Sequence, residues 1–185
     1  MADVLYGIRL VRVVALDPET GKVPELDPGW VSITTPQQAS LAYQIQAGQR
    51  VEQRGGDKLI AAVEDDDELL GVDITFTDAA MNGEAWAIID GGTWDDTGSE
   101  YIPRAVGASH PGFACEIYQA RYGKGSQHQS DEAGYVLFTF PYCKGSVTSI
   151  SQQDRQFSAP QFTIKARDTK TDRCYNWKHA EALPT

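Results

Sequence analysis

Apolar residues never run long enough in this 185-residue sequence to cross a bilayer as a helix, and the opening MADVLYGIRL has no basic region, apolar core or small-residue cleavage site. Neither membrane insertion nor a secretory leader is expected. Cysteine is scarce: Cys115, Cys143 and Cys174 are odd in number and far apart, with no Cys-x-x-Cys. That excludes a disulfide scaffold and points to buried free thiols in a reducing compartment. Histidine is equally sparse. His110, His128 and His179 are never closer than eighteen residues, and none has a cysteine at zinc spacing. The acidic run fails as a calcium loop, because setting Gly71 at the sixth position puts Leu70 at the fifth and Thr77 at the twelfth, where a ligand and a glutamate are required. No metal and no cofactor are expected.

The motifs of catalysis are missing as well. Ser109 stands beside His110 in Gly107-Ala-Ser-His-Pro111, but the Gly-x-Ser-x-Gly elbow is absent and neighbours on a strand point in opposite directions. Tyr122-Gly-Lys-Gly-Ser126 lacks the spacing of a phosphate loop. Asp95, Asp96 and Glu100 offer paired carboxylates, and Trp94 and Trp30 offer stacking rings, but a chain with twenty-six acids supplies such picks by chance. The sequence is expected not to be an enzyme.

Basic charge is nearly absent from one stretch. From Asp57 to Glu100 there are thirteen acids and one base, whereas Arg155–Lys178 holds six bases and two acids; the net charge is −10. This balance argues against tight phosphate binding, and its polarity suits a subunit whose acidic region meets a neighbour's basic one.

What remains is ordinary globular composition and many strand signals, enough for one domain spanning residues 1–185. Leu5–Leu16 reads as a first strand, ended by the turn Asp17-Pro-Glu-Thr-Gly-Lys22. Trp30–Thr35, Leu41–Ala47, Leu59–Glu64, Glu100–Val106 and Gly112–Tyr122 read as further strands, with a Gly/Ser/Gln turn over Gly123–Ser130. Gly134–Tyr142 places Val136, Phe138, Phe140 and Tyr142 on one core face, and Lys144–Phe157 reads as a polar Ser/Gln-rich segment. Ala159–Arg167 alternates cleanly, with Phe162, Ile164 and Ala166 inward, and Tyr175 and Trp177 anchor an extended tail. In Leu69–Gly92 a strand through Leu70, Val72, Ile74 and Phe76 turns into a helix over about residues 78–90. Thr77 or Asp78 caps it, Met81, Ala85, Ile88 and Ile89 form its apolar face, and Gly91-Gly92 stops it. The predicted fold is mainly β, a β-sandwich with one flanking helix. Gly48–Asp57, polar and charged with alternating sign, is a hairpin arm or long loop, and Glu64–Glu68 piles five carboxylates beside it.

The early strand, the charged arm, the unit GVDITFTDAAMNGEAWAIIDGG and the late VLFTFPYCKGSV…FSAPQFTIKARDT block together resemble the major tail tube proteins of long-tailed bacteriophages and related injection devices. The resemblance implies a β-sandwich with one helix, six copies closing a ring through an inner β-barrel, and rings stacked into a tube that carries DNA as non-specific cargo. It implies the chain itself as chief partner, with tape-measure, terminator, baseplate and possible sheath proteins beside it, in the virion tail or, during assembly, the host cytoplasm. Gln49, Arg50, Glu52, Arg54 and Asp57 match by position an arm that contacts a neighbouring ring. Gln44, Gln46, Asp65, Asp67 and Asp73 are its lumen-facing candidates. Two rival readings are another tail component (terminator, completion or baseplate hub protein) and a carbohydrate-binding β-sandwich centred on Trp94. A hydrolase built on Ser109 or His110 is the weakest.

Overall fold

A computed structural model describes residues 4–24, 29–123, 132–150, 154–155, 158–169 and 171–184. The fold is mainly β. The chain order is β1 (Val4–Ala15), β2 (Val31–Ile33), β3 (Pro36–Gln46), β4 (Arg50–Gly55), β5 (Lys58–Glu64), β6 (Glu68–Asp78), α1 (Gly83–Asp90), β7 (Thr93–Asp95), β8 (Glu100–Ile102), β9 (Phe113–Tyr122), β10 (Glu132–Ile150), β11 (Pro160–Arg167) and β12 (Asn176–Ala180).

One sheet runs β2-β1-β9-β10-β11-β6-β3, with β12 also on β10. Its pivot is β10. The first half of β10 pairs with β9 and, over Tyr135–Thr139, with β12; its second half, Cys143–Ile150, pairs with β11. A register shift against β9 between Phe140 and Cys143 marks where the strand changes layer, as bulged strands do at sandwich corners. The two halves of the sheet thus face each other as a β-sandwich.

The core between the layers takes Val11, Val13, Phe113, Cys115 and Phe140 from one side and Val72, Ile74, Phe76, Phe162 and Ile164 from the other. Phe76 and Phe162 stack with centroids 4.7 Å apart. Helix α1 closes one end with Ala85, Trp86 and Ile89. The first layer is covered on its outer face too: Leu10, Tyr118 and Leu137 lie under Ala180 and Leu183, and Val14, Leu16 and Ala114 lie under Val23, Trp30 and Tyr142. The second layer has no such cover on its outer side among the described residues. The three cysteines are buried free thiols, as their spacing suggests.

Several expectations need correction. The helix starts at Gly83 and not near residue 78. Asn82 is its cap, accepting from the Ala85 amide at 3.2 Å, while Asp78 ends β6 opposite Pro36 and takes a 2.6 Å hydrogen bond from the Thr35 hydroxyl. Met81 therefore lies outside the helix and is 63% exposed. The stop at Gly91, φ 75°, is as expected. β10 reaches eight residues past Tyr142, through a stretch whose Ser and Thr conceal a strand because only one side of it is buried. Its bulge sends Tyr142 to the outer cluster and puts Cys143 in the core. The Glu100–Val106 strand ends at Ile102. Trp177 is 58% exposed, so Cys174 and Tyr175 do the anchoring. The turn expected over Gly123–Ser130 lies, after Gly123, outside the described residues, as does His128.

Candidate functional site

The surfaces most open to other molecules belong to the second layer. Its outer face alternates against the core residues and is built of small polar side chains. Gln38, Ser40 and Gln44 on β3, Thr75 and Thr77 on β6, and Gln161 and Thr163 on β11 lie side by side through the register of the three strands. Hydroxyls and amides satisfy one another across it: Thr148 and Thr163 share a hydrogen bond at 2.7 Å, and Ser149 donates to Gln161 at 3.1 Å. Charge is confined to one corner. Arg167 Nη2 donates to Asp73 Oδ1 at 2.7 Å, and Gln44 Nε2 donates to Asp73 Oδ2 at 3.1 Å. Lys144 and Lys165 stand opposite each other beside that pair.

Gly71 makes the corner possible. A Cβ there would lie 2.4 Å from the Ala166 carbonyl and 2.7 Å from Arg167 Cδ and Nη1, so only glycine lets Arg167 lie flat toward Asp73. The cross-strand pairs that build this cluster were not visible in sequence, since residues 73 and 167 meet only through the β6–β11 register.

Neither lateral edge of this layer has a further strand beside it among the described residues. No strand pairs with the outer side of β3, and β10 beyond Cys143 pairs only with β11; at Gly145 its outer side is covered by α1 and His110, whose Nε2 lies 3.4 Å from the Gly145 amide, and its strand edge is bare only from Ser146 to Ile150. Exposed edges of this length invite pairing with another chain.

The ribbon β3/β6 continues outward as a second hairpin, β4/β5. The junction is held by the Asp65 amide on the Gln49 carbonyl at 3.0 Å and by the Gly48 amide on Asp67 Oδ1 at 2.9 Å. Its two-residue tip is Gly56-Asp57, with Gly56 at φ 63°, a conformation that tight hairpins demand and glycine supplies. Every residue of β4 is exposed. Arg50, Glu52 and Arg54 share one face, where Glu52 takes contacts of 2.9 Å from both arginines and Arg50 also lies 4.0 Å from Glu64. The structure thus groups Arg50, Glu52 and Arg54 on the arm, puts Asp57 at its tip, and places Gln49, Asp65 and Asp67 at its root. Gln44 and Asp73 lie together on the polar sheet face, with Gln46 at that strand's end.

The residues of the rival readings have work inside the fold. His110 Nε2 lies 2.7 Å from the Ile89 carbonyl at the end of α1 and Nδ1 contacts the Pro111 carbonyl, while Ser109 is exposed on the loop. Trp94 packs against Gly83, where a Cβ would stand 2.2 Å from its ring, and its Nε1 donates to Asp96 at 2.6 Å. Among the described residues, no cluster of three or more His, Cys, Asp or Glu is arranged to hold a metal. No helix of the described residues is long and apolar enough to cross a membrane. Compared with known proteins, the chain matches no family model and no curated sequence.

Proposed function

We propose that the protein is a structural subunit of a hollow tube of the bacteriophage-tail type, in which copies close hexameric rings through their strands and rings stack through the arm. The observation that supports this reading is the second layer: a bare polar sheet face flanked by β3 and by the Ser146–Ile150 end of β10, neither of which has a strand on its outer side among the described residues. Joining the free side of β3 in one copy to the end of β10 beyond Gly145 in the next covers both edges and turns the sheet into part of a closed barrel. The polar face then lines the lumen. It is uncharged over most of its area, so DNA slides past it with few phosphate contacts, Lys144 and Lys165 marking its one basic corner. Stacking through the arm is a heterologous contact, which propagates into a filament. In this role the chain performs no reaction and needs no cofactor; its partners are its own copies and the other tail proteins.

Negative-stain electron microscopy of the purified protein over a concentration and salt series tests the proposal. Hollow tubes with a regular axial repeat are the expected result. Isolated rings point instead to a terminator or baseplate hub. A monomer under every condition refutes the assembly reading.

A further inference from the structure

Helix α1 closes one end of the sandwich. At the other, where Tyr43 of β3 pairs with Val72 near the start of β6, an open groove of about 350 Å³ runs between the layers. Leu5, Tyr43, Val136, Phe138, Tyr175 and Trp177 line it. Its rings are set from behind. Tyr175 stacks on the buried Phe140 with centroids 6.3 Å apart and meets the Tyr43 ring at 5.5 Å and 58°. Trp177 is fixed by its place opposite Phe138 in the β10–β12 ladder. Tyr43 and Trp177 are nevertheless 47% and 58% exposed, so part of their ring surface stays open. An open ring face presents the negative side of its quadrupole.

Charge beside the groove is of one prevailing sign. Tyr175 is also the wall of a second cleft, which Asp67, Glu68, Asp168 and Arg173 line. Asp168 is already engaged: it pairs with Arg173 at 3.3 Å and accepts from the Cys174 amide at 2.5 Å. Asp67 gives one oxygen to the Gly48 amide at 2.9 Å, and neither it nor Glu68 has an ion pair among the described residues. Both are exposed. The bases of this end are held elsewhere. Arg121 donates to the Ala133 carbonyl at 2.6 Å and lies 3.4 Å from Nδ1 of His179 on the groove wall, while Lys178 faces the other side of β12 with Leu137.

Rings and carboxylates together select the occupant. Ring faces attract a cation, and the unpaired acids one ring away reinforce that sign. A compact ammonium ion is strongly hydrated and needs carboxylates at close range to replace its water, but none lines the groove itself. A methylated ammonium sheds its water easily and buries its methyl groups against the rings. We propose that the groove binds a small organic cation with a quaternary ammonium head, which rests on the Tyr43, Tyr175 and Trp177 rings while Asp67 and Glu68 balance its charge. The groove has the volume for such a ligand. This site is separate from the assembly reading and does not rest on it.

Choline and its neutral isostere, in which a tert-butyl group replaces the trimethylammonium, test this by saturation-transfer NMR of the ligand methyl groups. Each is titrated into the full chain at a concentration where sedimentation shows no assembly. Choline should bind, and the isostere should bind about tenfold more weakly. Trp177→Ala should weaken choline, and so should Asp67→Asn with Glu68→Gln, a pair that keeps the acceptor for the Gly48 amide and leaves the isostere unchanged. Equal binding of the two ligands overturns the proposal, because the groove is then merely apolar. So does the absence of binding by choline, or choline binding that neither set of variants alters. Tighter binding of an unmethylated lysine peptide than of choline also overturns it, as does binding to phosphatidylcholine vesicles by a protein that ignores free choline. Tubes, or their absence, bear on the assembly reading alone.

Discussion

Glycine at position 71 is a vacancy kept for an arginine. Gly71→Ala drives a methyl group into the Ala166 carbonyl and the Arg167 side chain, and backbone cannot yield as a flexible chain can. We expect a loss of about 1–3 kcal/mol in urea unfolding, the usual cost of overpacking. Tyrosine ionisation gives a second test. Tyr118 is pushed up to about 12, first by burial and then by its hydrogen bond to Glu116; Tyr101 is pushed up by burial and by Asp90, which accepts from its hydroxyl at 2.5 Å. Both folded-state values lie above the unfolded value of about 10, so the unfolded chain sheds these protons first. Stability is therefore full below pH 10 and falls as pH rises through the range from 10 to 12. Urea midpoints measured across that range should decline, and Tyr118→Phe should flatten part of the decline. Single residues of this kind were the least legible in the sequence. Nothing local in Asp73 or Arg167 announces the other, ninety-four positions away, whereas the buried state of the thiols followed from their spacing and number.

Elements were legible where apolar residues mark every buried position. β11 reads directly from its alternation because Phe162, Ile164 and Ala166 all face the core, and β9 and β1 follow from apolar-rich stretches broken only by single polar residues such as Glu116 and Arg12. The helix was legible in kind but four to five residues early, because Asp78 and Asn82 are both capping residues and only the pairing of Asp78 with β3 decides between them. Variants separate the two assignments. Asn82→Ala should cost about 1 kcal/mol through the lost cap. Ile89→Ala should cost about 2–5 kcal/mol, its side chain being fully buried, while Met81→Ala should stay within about 0.5 kcal/mol. Thermal or urea unfolding of the three variants makes the comparison. The arm shows why the rest was hidden. Read alone, Gly48–Asp57 shows its charges; an apolar face exists only once β5 contributes Ile60, Ala61 and Val63 beside Val51.

At the scale of the molecule, the arm and the sandwich divide the labour. Replacing residues 50–64 with a short Gly-Ser turn removes no core side chain, since the buried cluster draws nothing from β4 or β5. The shortened protein should melt within a few degrees of the full chain by circular dichroism while losing higher-order assembly in sedimentation. The long strand β10 has the opposite character, because it belongs to both layers. Its consequence is one of timing. During synthesis, β1 through β9 leave the ribosome before β10, the strand that joins β2, β1 and β9 of the first layer to β11 and, through it, to β6 and β3 of the second, so each incomplete layer waits with an open edge. Pairings of such wide sequence separation close slowly. Chains stopped before residue 150 should therefore gather in aggregates and not in half-folded monomers, and the complete chain should unfold in a single cooperative step, since neither layer keeps its partner once the shared strand is gone.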